Sequence, residues 1–259
     1  MKAKQRTILC SLIIMFALLV SSFSPLYAYR PLVTEDAGVG CKGDLVIETG
    51  WETPLTEKAA RENSFIIAPV YTPCGRLELS VEVPILYNAD EDMNSGFSDI
   101  MIAGKFLVAG HMPADGSIPT DLLFSVKGSM KTASGDESED LGTGTREYAC
   151  TLVLSRCFTG FAMHGMFGCG IPEENRPFSD AEYHYGLAVD FFASENINLV
   201  SEITGTASLS DGRIDYNSRI LAGASLSICD CAILDCAVSA GISGNEDTAL
   251  FSMGCSFLF

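Results

Sequence analysis

The chain has 259 residues, of which 47% are hydrophobic and only 19% are charged, and its formal net charge at pH 7 is -17. This acidity argues against a nucleic-acid-binding protein, because phosphate backbones are bound by clusters of Lys and Arg. The length suits one barrel or one large β domain, and apolar residues alternate with polar ones instead of forming long blocks, which is typical of a β-barrel wall.

The first 28 residues have the pattern of a secretory signal peptide. Three basic residues precede an apolar run from Ile8 to Val20, and the small residue Ala28 ends the segment. We expect cleavage there, with an uncleaved anchor as the alternative. The mature chain would then have a periplasmic N-terminal segment over residues 29–43 and a barrel domain over residues 44–259.

Period-two alternation, cut at turn residues, predicts twelve strands. Each has about the length that a tilted strand needs to cross a bilayer. An even number places both ends of the barrel on the same side, as in single-chain bacterial barrels. The predicted strands cover residues 44–52, 64–72, 76–86, 97–109, 120–131, 147–157, 160–171, 181–193, 196–209, 217–228, 231–242 and 247–259.

The connections between these strands alternate in length and polarity. Those that would face outward are polar and rich in Gly, Asp, Glu, Asn or Ser, as in residues 132–146. Those that would face inward are mostly short turns, with Gly110–Pro119 as the long exception. This alternation favours an antiparallel up-and-down transmembrane β-barrel.

The last predicted strand has a continuous apolar face that ends on an aromatic residue. Such a strand is typical of the closing strand of an outer-membrane barrel. We expect Phe257 and Phe259 to form the signal that the barrel assembly machinery recognises. The predicted strand would pair with the first one, near Leu45, to close the wall.

Charged residues share the polar parity of the strands, so we expect them to face the lumen. The reverse orientation would put charge in lipid, at a cost of roughly 2–4 kcal/mol for each Arg or Lys near the midplane. The candidate lumen and selectivity residues are Glu48, Glu52, Glu78, Glu82, Lys105, Asp121, Lys127, Lys131, Asp190, Glu202, Arg219 and Asp235.

Nine cysteines remain after removal of the leader. Four of them, at positions 150, 169, 236 and 255, have the outward parity of wall residues, and the other five are expected at the periplasmic end. Cys229, Cys231 and Cys236 are the sharpest candidates for a metal site, but their spacing matches no standard zinc motif, so we predict no metal. Disulfide pairing is left open by the sequence.

The three histidines, His111, His164 and His184, lie on different elements without a metal-binding spacing. A twelve-stranded outer-membrane phospholipase would need a serine two residues after its histidine, and no histidine here has one. Since no phosphate-binding glycine loop is present either, we expect neither an enzyme nor a cofactor-binding protein.

Two segments resemble a known bacterial family. Residues 30–48 and the run from Gly96 to Phe106 are similar to the meta-pathway phenol-degradation (MetA-pathway) outer-membrane β-barrel family, and the similarity extends through Leu141–Gly144 to the carboxyl end. The resemblance implies an outer-membrane barrel that moves small, often hydrophobic or aromatic, molecules. It implies no set of catalytic residues.

We therefore expect a channel or transporter in the cell outer membrane, in contact with the lipid bilayer and with no nucleic-acid partner. Two alternatives stay open. One is a closed barrel whose outer loops act as a structural or interaction surface. The other is a soluble periplasmic β-protein that binds an apolar ligand and buries these apolar faces internally.

Overall fold

The computed structural model describes residues 30–55, 62–88, 94–113, 119, 121–173, 181–210, 213–243 and 249–259, so the predicted leader lies outside the described residues. The described residues form thirteen strands in a single antiparallel sheet. These are β1 (Leu45–Pro54), β2 (Glu62–Cys74), β3 (Leu77–Asn88), β4 (Gly96–Phe97), β5 (Met101–Ala109), β6 (Leu122–Lys131), β7 (Glu147–Phe158), β8 (Phe161–Pro172), β9 (Glu182–Phe192), β10 (Ile197–Ser210), β11 (Arg213–Cys229), β12 (Ala232–Ser243) and β13 (Ala249–Leu258).

The sheet closes on itself to form a barrel. Each strand pairs with the next along the chain, except that β4 and β5 both pair with β3 instead of with each other. The first strand, β1, pairs with both β2 and β13. Val46 lies opposite Leu258, and the backbone of Leu45 exchanges two hydrogen bonds with that of Phe259, at 2.8 and 3.2 Å. Because β4 and β5 lie end to end as one strand, the described wall has twelve strands, which confirms the predicted antiparallel barrel.

One predicted strand, residues 97–109, is interrupted at residues 98–100. Pro84 on β3 faces this gap and has no N–H to donate to the neighbouring strand, although its carbonyl still accepts a 2.9 Å hydrogen bond from the Ser98 N–H. The Asp99 carboxylate instead accepts hydrogen bonds from the N–H groups of Gly135 and Thr143, at 2.9 and 2.8 Å. The interruption thus anchors the long connection between β6 and β7.

The anchored connection, residues 132–146, packs back on the barrel. Leu141 is 5% exposed and contacts Gly96, where a side chain would collide with it. Burial alone would raise the pKa of Asp99, but the hydrogen bonds from Thr143 and Gly135 lower it below the usual value. A charged Asp99 therefore holds this connection in place.

The barrel has two different rims. The terminal rim holds Leu45 and Phe259, and most of its connections are two to four residues long, such as Thr159–Gly160. The opposite rim, here named the loop rim, carries the connection over residues 132–146. The long connection from Gly110 to Asp121 is at the terminal rim, so the predicted alternation and its predicted exception are both present.

Alternate residues of each strand face opposite sides of the wall. On β7 the side chains of Thr151, Val153 and Ser155 are buried, whereas Leu152 and Leu154 between them are 46% and 48% exposed. The outer surface is therefore apolar, which does not fit the soluble alternative, because a soluble protein would cover these side chains. Within the described ranges, no helix has the length and apolar character to cross a membrane.

The seam between β1 and β13 is the natural place to test closure. Deletion of Phe257–Phe259 removes three paired residues, so we expect the free energy of unfolding to fall by roughly 1–3 kcal/mol. Unfolding in urea and detergent can be followed by the fluorescence of Trp51, the single tryptophan, which lies opposite Met253 in this seam.

The matched control is Phe97→Ala, which truncates a 64% exposed aromatic side chain near the loop rim. It should leave stability nearly unchanged. Equal stability of the deletion variant and the wild type would show that this seam does not close the barrel.

Candidate functional site

Residues 30–44, here named the lumen segment, run through the interior of the barrel. Thr34, Ala37 and Val39 are each at most 2% exposed, and every one of them lies among inward-facing wall residues. The sequence predicts that this part of the chain lies in the periplasm, outside the barrel domain. In the structure it lies inside the barrel instead. The segment is inside because the inward side chains of several strands bind its backbone.

The carboxylate of Glu202 on β10 holds one end of the segment. Its two oxygens accept hydrogen bonds from the N–H groups of Val33 and Thr34, at 2.8 and 2.7 Å. Glu202 is only 2% exposed, so these bonds replace the water that the carboxylate would otherwise bind. One side chain thereby satisfies two buried backbone donors.

Two serines on the neighbouring strands β6 and β7 hold the middle of the segment. The Ala37 N–H donates to Ser155 Oγ at 2.7 Å, and Ser125 Oγ donates to the Ala37 carbonyl at 2.5 Å. His164 Nδ1 is hydrogen-bonded to the same Ser155 hydroxyl at 2.8 Å. The Ser155 hydroxyl therefore has a structural role, because it accepts the Ala37 N–H.

Two inward lysines, on the adjacent strands β5 and β6, also bind the segment. Lys105 Nζ lies 3.2 Å from the Asp36 carbonyl oxygen and 3.2 Å from Glu78 Oε1 on the adjacent strand. Lys127 Nζ forms an ion pair with the Glu35 carboxylate. The segment thus supplies acceptors to cationic groups that the wall buries.

Arg30 lies against the seam that closes the barrel. Its Nε is 3.7 Å from Asp235 Oδ1 on β12. Gly50 on β1 and Gly254 on β13 leave the space for it, because a methyl group at Gly50 would overlap the guanidinium and one at Gly254 would lie 2.6 Å from Arg30 Nε. Two inward glycines, opposite each other in the ladder, therefore form the seat of Arg30.

Apolar contacts also hold the segment against the wall. Ala37 and Val39 form a buried cluster with Leu107, Leu123 and Val153 of the wall. Leu32 packs against a second cluster, which consists of Val200, Leu221 and Ala237. The lumen is therefore a packed interior at these two levels.

Cavities remain on both sides of the segment. One of them, here named the terminal-rim chamber, has a volume of about 680 Å³, and its lining includes residues of the terminal-rim connections such as Ser194–Asn196. Two others, of about 370 and 250 Å³, lie toward the loop rim. Arg30 and Leu32 line both the chamber and the 370 Å³ cavity, and Glu35 lines both smaller cavities. The lumen segment is therefore the partition between these spaces.

The predicted lumen residues fall into distinct groups. Asp190 lines the terminal-rim chamber, and Glu202 and Asp235 contact the segment as described. Lys131 pairs with Glu147 at 3.0 Å, and Arg219 donates a 3.1 Å hydrogen bond to Ser239 Oγ. The 370 Å³ cavity is lined by the largest group, namely Glu48, Glu52, Glu78, Glu82, Lys105 and Lys127.

Asp121 differs from the rest of this set. It immediately precedes β6 at the terminal rim, and its side chain is exposed. The reason is that the strand begins at Leu122, one residue beyond it, so the alternation that turns Leu123 and Ser125 inward does not constrain Asp121.

The charged site residues that the sequence did not predict belong to the lumen segment. Arg30, Glu35 and Asp36 contact the wall, yet their stretch of sequence has no periodicity that would place it. A usable signal was the inward parity of Gly50 and Gly254, because a glycine within a strand often marks the close approach of another backbone or ligand.

The cysteines and histidines form no metal centre among the described residues, where no group of three or more His, Cys, Asp or Glu side chains could hold an ion. Cys229 and Cys231 lie with their Sγ atoms 2.9 Å apart in the turn between β11 and β12, but Cys236 faces outward from β12. His184 Nε2 is hydrogen-bonded to Thr151 Oγ1 at 2.7 Å.

No protein-family model and no curated protein matches this chain. Solved structures are similar in fold: the COG4313 outer membrane channel from Pseudomonas putida F1 has a TM-score of 0.69 and 10% identity, over 88% of this chain and all of that one. The NanC porin has a TM-score of 0.59 at 8% identity, and the KdgM porin 0.57 at 9%, each over 82% of this chain and 98% of the other. At such identities the likeness shows the fold alone.

The seat of Arg30 can be tested by filling it. In a Gly50→Ala variant the new methyl group occupies the guanidinium position, so we expect the segment to loosen and the amides of Val33 and Thr34 to exchange hydrogen with solvent faster. Hydrogen–deuterium exchange with peptide-level mass spectrometry measures this directly.

Gly128→Ala is the matched control, since the methyl group that it adds to β6 meets no atom within 4 Å. Exchange over residues 30–40 should not change in that variant. If Gly50→Ala also leaves the exchange unchanged, the seat does not hold the segment.

Proposed function

We propose that this protein is an outer-membrane channel for small molecules. The observation that carries the proposal is a closed barrel with an apolar outer surface, a charged lumen, and cavities on both sides of a segment that crosses that lumen. An apolar outer surface suits hydrocarbon, and an inward charge set suits an aqueous path. The fold that this chain shares with three channels or porins supports the same conclusion.

The orientation follows from the two rims. We place the terminal rim in the periplasm, because barrels of this type have short periplasmic turns and longer outer loops. The signal peptide over residues 1–28 would be removed during export. Phe257 and Phe259 would be recognised by the assembly machinery, and a reduced outer-membrane level of a Phe259→Ala variant tests this role.

The selectivity of the channel should come from the inward charges. Five carboxylates and three cationic side chains line the 370 Å³ cavity. Two of the cations are already paired with carboxylates there, Lys105 with Glu78 and Lys127 with Glu35. The excess of negative charge at this level favours cations over anions.

The substrates should be small, because the lumen segment divides the interior into separate cavities. The resemblance of residues 30–48 to the meta-pathway phenol-degradation family supports hydrophobic or aromatic molecules as the class of substrate. We propose a transport role without catalysis, since the Ser155 hydroxyl, which is hydrogen-bonded to His164, is used to hold Ala37.

Planar-bilayer recordings of the purified mature protein test the channel directly. We expect discrete conductance steps and a reversal potential in a KCl gradient that shows preference for K⁺. Glu82→Gln should reduce this preference by removing a cavity carboxylate, and Lys127→Gln should increase it by removing a cation. Asp121→Asn is the control, since this carboxylate is exposed at the rim.

A preference for chloride in the wild type would contradict the proposed role of the carboxylates. The closed barrel is the second candidate, favoured by the packed clusters around the lumen segment. It predicts no conductance steps in the wild type or in Gly50→Ala, whereas steps in Gly50→Ala alone would indicate a channel that the segment closes.

A further inference from the structure

The terminal-rim chamber has the size and the mixed lining of a ligand-binding site. Its volume of about 680 Å³ lies within the range of small-molecule pockets, roughly 300–1,000 Å³. One part of the lining is apolar and consists of Leu32, Met112, Leu123, Phe192, Val200 and Ile233. The remaining part is polar and carries an excess of negative charge.

The charge of the lining is unbalanced. The carboxylates of Asp36, Asp190, Glu195 and Asp230 line the chamber, against one guanidinium, that of Arg30. Arg30 already pairs with Asp235, which lies outside this lining. Asp36 and Asp190 also carry like charges on this same lining, where they repel each other. A cationic group placed in the chamber would relieve that repulsion.

Asp190 in particular is short of hydrogen-bond donors. Its Oδ1 is buried and has no hydrogen-bond partner among the described residues, and its Oδ2 has only Asn198 Nδ2 at 3.5 Å. Its neighbours across the ladder are Ala162 and Val200, which offer no side-chain donor. A buried carboxylate oxygen without a donor is costly, so this atom favours a ligand that donates.

We infer that the terminal-rim chamber binds an organic cation that combines an ammonium group with an apolar body. The ammonium donates to Asp190 and lies near Asp36, and the apolar body packs on the wall around Leu32, Val200 and Ile233. A primary ammonium supplies three N–H donors, which fits the Asp190 Oδ1 atom that has no partner among the described residues. The inference rests on the proposed channel function, for which it names a class of substrate.

This arrangement discriminates against other ligands with the same body. An anion of equal size would face the four lining carboxylates. A neutral alcohol would supply one donor without relieving the repulsion between Asp36 and Asp190. Affinity should therefore follow the order ammonium, alcohol, carboxylate.

Isothermal titration calorimetry of the mature full-length protein in detergent tests this order with three probes. They are 2-phenylethylammonium, 2-phenylethanol and 3-phenylpropanoate, which share an aromatic body and differ in charge. The ammonium should bind most tightly, and Asp190→Asn should weaken its binding by about tenfold or more while leaving the alcohol unchanged. Asp36→Asn should weaken it in the same direction.

Asp121→Asn is the matched control and should bind the ammonium as the wild type does. Each variant is first compared with the wild type by heat-dependent gel migration, so that a misfolded barrel is recognised. Equal affinity for ammonium and alcohol, or no effect in either Asp190→Asn or Asp36→Asn, would overturn the inference.

The calorimetric and conductance experiments distinguish an error in the substrate class from an error in the proposed channel function. If the wild type conducts ions but does not bind 2-phenylethylammonium, the substrate class is wrong and the channel stands. If it binds the ammonium through Asp190 but never conducts, the chamber is a binding site in a closed barrel and the proposed function is wrong.

Discussion

The closed hydrogen-bond ladder is the constraint on which the rest of this molecule depends. Because β1 pairs with β13 as well as β2, the described sheet has no free edge, and each wall residue must face either outward or inward. A shift by one residue would exchange the two faces of a strand. The apolar exterior and the charged interior are thus two results of one register, and neither can change without the other.

The interior created in this way contains charges that need partners, and the lumen segment supplies many of them. Glu202 and Lys105 are each 2% exposed, and each is bound by backbone groups of residues 33–36. The wall in turn satisfies buried backbone donors and acceptors of the segment. Segment and wall are therefore complementary at the level of single hydrogen bonds, although apolar clusters at Ala37 and Leu32 provide much of the contact.

Most of the wall could be predicted from the sequence, because strand parity is a local property. The break at residues 98–100 could not be predicted in this way. It depends on the register of two strands, which places Pro84 of β3 opposite these residues. The lumen segment was missed for a similar reason. Its partners, Glu202 and Ser155, are more than a hundred residues away, and only the three-dimensional register places them together. The same applies to Asp190, because its cross-strand neighbours Ala162 and Val200 offer no side-chain donor to its Oδ1.

The seat of Arg30 also determines the order in which the molecule can be assembled. Its walls are Gly50 near the start of the barrel and Gly254 and Asp235 near the end, so the seat does not exist until the last strand has paired with the first. The lumen segment is synthesised before every strand, yet Arg30 can reach its final position only after all of them have joined the sheet. Arg30 is thus made before any strand but reaches its place only after the last one has paired, and a seated Arg30 marks a wall that has already closed.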